Sequence, residues 1–215
     1  MMRLVRDTAL LTATILFVAG CGAGEPGAQA LSTAPVEGQP ANPQVLIETS
    51  RGTILVELFA QQAPRSTENF LAYVGANFYD GLVFHRVIPG FMIQGGGMTA
   101  DMEEKNKGTP ILNEADNGLR NLRGTLAMAR TMEPHSASSQ FFINVADNRF
   151  LNHRGKSPEG WGYAVFGQVI SGMEVVDAIV AVPRHRVGPH DDVPVEPVIM
   201  QRVSVHVPDT PGAAP

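Results

Sequence analysis

Punctuation is the feature that most limits this chain. Between residues 44 and 207, short apolar and β-branched runs are repeatedly bordered by Gly, Pro or Asn, a spacing that allows many strands and few helices. The clearest pair is VLIET (45–49) and TILVELF (53–59), joined by a turn at Arg51-Gly52. Ile54, Val56 and Leu58 alternate with Thr53, Leu55 and Glu57, the period of a half-buried strand, so the pair reads as a hairpin. Further strands are predicted over 82–87, 92–94, 124–129, 140–145, 164–169 and 198–207. Only two stretches have helical spacing. One opens at Ala63-Pro64, proline being favourable in a first turn, and brings Thr67, Phe70, Leu71 and Val74 to one face. The other runs over about 173–180, with Met173, Val176 and Ile179 or Val180 as its stripe. Many strands without regular intervening helices predict an antiparallel barrel or sandwich, the helices plugging its ends. No internal repeat is visible.

The ends differ in character. Arg3 and Arg6 precede an apolar run over 9–18, then small residues lead to Cys21, the single cysteine of the 215. This is the pattern of a secretory signal peptide over 1–20, too short for a membrane-spanning helix. The quartet Val18-Ala19-Gly20-Cys21 also resembles the lipobox of bacterial lipoproteins, which implies acylation of Cys21. The alternative is an unmodified cysteine in a signal peptide cleaved elsewhere. Residues 21–43 then form a tether, with four Gly, four Pro and five Ala in 22–43 and too little apolar surface to offset ordering entropy. Residues 208–215 have the same character. That leaves 44–207 as one domain, and a hydrophobic content of 44% is enough for it to bury a core without disulfides. The net charge of −5 and the lack of any long Lys/Arg cluster exclude a nucleic-acid partner.

One stretch carries most of the functional signal. FHRVIPGFMIQGGG (84–97) is strongly apolar, yet it holds Arg86 near its start and Gln94 near its end. Pro89-Gly90 divides it into two strand halves, and in the second half Met92 and Gln94 share a face while Ile93 points into the core. With NEADNGLRNLRGTLAMAR (113–130), SQFFIN (139–144), FLNH (150–153) and GYAVFGQVISGMEVVD (162–177), this stretch resembles the cyclophilin family of peptidyl-prolyl isomerases, in its bacterial exported branch. The blocks occur in family order across 44–207.

The resemblance implies an all-β fold with two helices: an eight-stranded antiparallel cyclophilin-like barrel closed by two α-helices, with the pocket on its outer face. It implies Arg86 as catalytic residue, Phe91, Met92, Phe142 and Leu151 as walls of a proline pocket, and Gln94 and Gln140 as contacts to the substrate backbone. Ala129 falls where the family approaches the residue preceding proline. Three positions depart from the eukaryotic pattern: Arg130 stands for asparagine, Tyr163 for histidine and Phe150 for a tryptophan that contributes to cyclosporin binding. Weak binding of that drug is therefore expected.

The residue types suit the chemistry. Rotation about an Xaa-Pro bond is slow because amide resonance sets a barrier of about 18–20 kcal/mol, and no bond has to break. Catalysis needs only that the twisted amide be held better than either planar isomer. A guanidinium can donate to the proline's carbonyl and to the nitrogen lone pair released by twisting, and it keeps its charge at every relevant pH. About 7 kcal/mol of such selective stabilisation corresponds to roughly five orders of magnitude in rate. A module that binds proline segments without turnover is the alternative.

Other signals are weaker. The six histidines show no metal-ligand spacing, and His190-Asp191-Asp192 reads as part of a Pro-rich loop, so neither metal nor cofactor is expected. His85 reads as packed and hydrogen-bonded beneath its strand. Gly95-Gly96-Gly97 reads as a turn with close backbone approach, because no Lys-Ser/Thr follows for a phosphate loop. Ser136, Ser138 and Ser139 form a polar loop into Phe141. The expected partners are proline-containing polypeptides, met by a monomer that touches membrane only through its lipid. The expected location is the periplasmic cell envelope, at the outer membrane rather than the inner because Gly22, not aspartate, follows Cys21.

Overall fold

The computed structural model describes residues 42–207. The signal segment 1–20, Cys21, nearly all of the tether and the tail 208–215 lie outside the described residues. Among the described residues ten strands form: β1 (Gln44–Thr49), β2 (Gly52–Leu58), β3 (Val83–Ile88), β4 (Met92–Met98), β5 (Thr125–Met128), β6 (Phe141–Asn144), β7 (Val165–Ser171), β8 (Arg184–Val187), β9 (His190–Pro194) and β10 (Met200–His206). The helices are α1 (Pro64–Gly75) and α2 (Met173–Val180).

Eight strands make one curled antiparallel sheet in the order β10-β1-β2-β7-β5-β6-β4-β3. Its two edges meet at a bridge between Val83 and Ile199, where Phe84 N donates to Val198 O at 3.0 Å and Met200 N to Leu82 O at 2.8 Å. Joined edges leave few unpaired backbone groups, which removes the liability of an open sheet. Alternation decides the two faces. Val45, Ile47, Ile54, Val56 and Leu58 point inward with no exposed area, joined by Phe84, Ile93, Leu126, Phe141 and Phe166.

The helices close this interior. Phe70 of α1 lies 5.1 Å from Tyr79, 5.2 Å from Phe141 and 5.3 Å from Phe166, ring centre to ring centre. Truncating so central a ring costs about 3–5 kcal/mol. Helix α1 has no cap of its own at Ala63. Glu114, far along the chain, accepts from Arg65 N, Ser66 N and Ser66 Oγ at 2.7–3.0 Å instead. A carboxylate there satisfies orphan N–H groups and opposes the helix dipole. From α2, Val176 and Ile179 enter the core.

Two sequence expectations need correction. His190-Asp191-Asp192 is not loop but the start of β9, which pairs with β8 in a separate hairpin packed beside β3. Its strands, RHRV and HDDVP, are dominated by charged and histidine side chains, so no apolar period marks it. The Gly95-Gly96-Gly97 run is not a turn but the continuation of β4. The close approach is real. A Cβ at Gly96 would lie 2.9 Å from Ser139 O, and one at Gly97 would collide with the Gln140 carboxamide.

Candidate active site

Arg86 reaches the outer face through a bulge. In a regular strand Phe84 and Arg86 would share a face. Here Phe84 pairs with Gly95 and Arg86 with Gln94, adjacent positions on β4, so His85 is an extra residue that turns Arg86 outward while Phe84 stays in the core. The ladder then continues outward-facing from Gln94 to Phe142, from Phe142 to Ala127 and from Ala127 to Val165. Sequence alternation placed Ile93 inward and Met92 and Gln94 outward, and the strand does the same.

A second apolar cluster forms on this outer face around Met92, Ala127, Phe142, Leu151 and Val165. It floors a cavity of about 100 Å³ lined by Arg86, Phe91, Met92, Gln94, Ala129, Arg130, Phe142, Leu151 and Tyr163. Met92, Phe142 and Leu151 are buried, and Phe91 and Tyr163 stand half-exposed as walls. The Tyr163 ring meets Phe142 edge-on at 5.7 Å. Arg86 is exposed at the rim, and none of the ion pairs among the described residues involves it.

Gln140 and Phe150 stand outside that cavity. Gln94 Nε2 donates to Gln140 Oε1 at 2.9 Å, and Gly97 leaves the room in which the Gln140 side chain lies. Phe150 is 63% exposed and stacks on Phe91 at 5.5 Å, backing the wall from outside. Gln140 lines an adjoining recess of about 120 Å³ with Gln94, Lys107, Ala129, Arg130, Thr131, Ser136 and Ser138. Lys107 and Thr131 were not singled out in the sequence, where no local pattern ties them to Arg86, and Ser136 and Ser138 were read there only as a polar loop. Neither cavity is lined by a carboxylate.

Buried asparagines hold these walls. Asn148 Nδ2 donates to Phe91 O at 2.8 Å and to Asn144 Oδ1 at 2.7 Å, while Asn144 Nδ2 donates to Asn121 Oδ1 at 3.2 Å and Thr125 Oγ1 at 2.9 Å. Asn121 N in turn donates to Asn152 Oδ1 at 2.8 Å. The network fixes the 3₁₀ turn Arg149–Leu151, and so Leu151, against Phe91. Sequence reasoning missed these residues, although Asn121 and Asn144 sit inside the blocks NEADNGLRN and SQFFIN.

His85 is 4% exposed and its Nδ1 has no hydrogen-bond partner, so it packs beneath the hairpin without the full bonding expected of it. Burial chiefly, then the nearby His190, lowers its pKa from 6.5 to about 4. Among the described residues no three His, Cys, Asp or Glu side chains group as a metal site, and no helix is long and apolar enough to cross a membrane.

Comparison with known proteins agrees with this geometry. The family model described as cyclophilin type peptidyl-prolyl cis-trans isomerase/CLD matches residues 44–205. A peptidyl-prolyl cis-trans isomerase of Streptomyces antibioticus is 58% identical over 161 residues, 75% of this chain and 97% of that protein. Peptidyl-prolyl cis-trans isomerase B of Escherichia coli is 55% identical over 161 residues, 75% of this chain and 98% of its own length. A crystal structure of a Cryptosporidium parvum cyclophilin type peptidyl-prolyl cis-trans isomerase, in the presence of the dipeptide Ala-Pro, superposes with a TM-score of 0.62 at 29% identity, covering 76% of this chain and 99% of that one. With an apolar, arginine-rimmed pocket on the outer face of a curled eight-stranded sheet, the chain belongs to the cyclophilin-type peptidyl-prolyl cis-trans isomerases and is an enzyme of that class.

Proposed function

We propose that this isomerase is exported, is anchored through a lipid on Cys21, and turns Xaa-Pro bonds of unfolded or flexible polypeptides in the periplasm as they fold. The observation that carries the catalytic part is Arg86 standing opposite Gln94 at the rim of a cavity whose floor is buried and apolar. Met92, Phe142 and Leu151 seat the proline ring, with Phe91 and Tyr163 at its sides. Arg86 donates to the proline's carbonyl and to the lone pair that twisting releases, an interaction made best in the transition state. The Gln94–Gln140 bond leaves Gln94 Oε1 and Gln140 Nε2 to meet the substrate's N–H and C=O. Ala129 lies beside the residue before proline, and Arg130 and Phe150 border the site. The Ala-Pro dipeptide of the Cryptosporidium structure supports a proline-containing ligand.

The signal pattern over 1–20 and the Val18-Ala19-Gly20-Cys21 quartet support export and lipidation, and Gly22 supports the outer membrane. The enzyme acts as a monomer and binds cyclosporin weakly, Phe150 offering a smaller ring than tryptophan. NMR exchange on a proline tetrapeptide tests the catalytic part. Arg86→Ala is expected to lower cis-trans exchange at least a hundredfold while the peptide still binds, and a wild-type rate in that variant would refute it. Mass spectrometry of the mature N-terminus tests the anchor: an unacylated Cys21, or a start beyond it, removes it.

A further inference from the structure

Arg130 is the most heavily bonded side chain at the site, and its bonds point away from the cavity's centre. Its Nε donates to Gly162 O at 2.9 Å and its Nη1 to Thr131 O at 2.8 Å and Met132 O at 3.3 Å. A longer bond of 3.4 Å runs from Nη2 to Pro158 O. The guanidinium carbon lies 4.7 Å from the centre of the Tyr163 ring, on its face. With its donors on backbone carbonyls, this cation has little left to offer a peptide.

Those carbonyls belong to two separate segments. Thr131 and Met132 follow β5, whereas Pro158 and Gly162 belong to the loop that leads into Tyr163 and β7. The planar fork of an arginine reaches both at once, which a lysine's single ammonium cannot reproduce. Further bonds depend on the same loop: Asn113 Nδ2 donates to Gly162 O at 3.1 Å, and Tyr163 N donates to Leu151 O at 2.9 Å. Tyr163 is therefore held by its backbone on one side, by Phe142 on another and by the guanidinium on its open face.

We propose that Arg130 is a positioning residue: it clamps the 158–162 loop to the segment after β5 and sets the Tyr163 ring as a wall of the proline pocket, rather than contacting the substrate. The proposal rests on the pocket assignment above. Loss of the clamp frees the wall but leaves Arg86 in place, so the effect falls on substrate binding and not on the twisting step.

The test uses the full chain with Arg130→Gln and Arg130→Lys, assayed on a proline tetrapeptide, together with NMR of the Tyr163 ring. Both variants are expected to raise KM about tenfold and to change kcat less than twofold. Both should shift the Tyr163 ring resonances in the absence of peptide, and lysine should give no rescue. Combined with Tyr163→Leu, Arg130→Gln should add less than a twofold further effect, since the wall it holds is already gone. Full rescue by Arg130→Lys, unmoved Tyr163 resonances, or effects that multiply in the double variant would each overturn the proposal. If Arg130→Gln fails to fold, the lysine variant alone decides, by its KM and its Tyr163 spectrum. Arg86→Ala run alongside separates the two readings: a wild-type rate there refutes the pocket assignment, while the resonance shift without peptide still reports on the clamp.

Discussion

Acid should loosen this protein through one histidine. His85 occupies the bulge of β3 under the β8–β9 hairpin, with His190 6.4 Å away, ring to ring, and with Asp101 and His185 lining the same cavity. Burial, His190 and Arg86 all disfavour its charged form, while the Val83 backbone favours it, and the balance is a pKa lowered from 6.5 to about 4. Above about pH 6.5 the ring is neutral in the folded and unfolded chain alike, so it contributes nothing to the pH dependence. As pH falls below that value the unfolded chain takes up a proton and the folded chain does not, so stability declines until about pH 4. At about 1.4 kcal/mol per pKa unit, the full loss is about 3 kcal/mol. The assay is urea unfolding of the wild type and His85→Phe across pH 4 to 7.5. Phenylalanine keeps the ring, cannot titrate, and removes the unpartnered Nδ1, so it should be no less stable at neutral pH and distinctly more stable than wild type near pH 4. Parallel stability curves for the two proteins would refute the reasoning.

Three further outcomes follow from the site. Gly97→Ala drives a methyl into the Gln140 carboxamide and should lower kcat/KM about tenfold with little change in melting; in a Gln140→Ala background, steady-state kinetics should show the same substitution to be nearly silent. Asn148→Leu removes two buried bonds, to Phe91 O and Asn144 Oδ1, and should cost about 2 kcal/mol, read as a melting temperature lowered by several degrees in calorimetry. Arg86 and Arg130 line a cavity that holds no carboxylate, so a tetrapeptide with glutamate beside its Ala-Pro unit should show a KM about fivefold below that of its lysine counterpart at low ionic strength. That preference should shrink as salt is added.

Much of the sheet was legible because half-buried strands must alternate. The eight strands of the main sheet coincide with the eight sequence-predicted runs to within a few residues, and α2 with its stripe. The β8–β9 hairpin was not legible, since both of its strands carry charge where a period of two would need apolar residues. The Glu114 cap on α1 and the Asn121–Asn144 bond join residues more than twenty positions apart, and no local pattern announces such pairs.

The candidate site divides in the same way. The family resemblance of the sequence blocks picked out Arg86, Phe91, Met92, Gln94, Ala129, Arg130, Phe142, Leu151 and Tyr163, and these converge on one cavity because β3, β4 and β6 present Arg86, Met92, Gln94 and Phe142 on one face while the segments between strands bring the others to it. What residue types cannot state is direction. The His85 bulge turns Arg86 outward, Phe150 backs Phe91 from outside the cavity, and the Arg130 donors close on backbone carbonyls rather than open toward a ligand. A side chain's chemistry is local and is written in its letter. Its aim depends on register and on distant partners, which exist only once the sheet has closed.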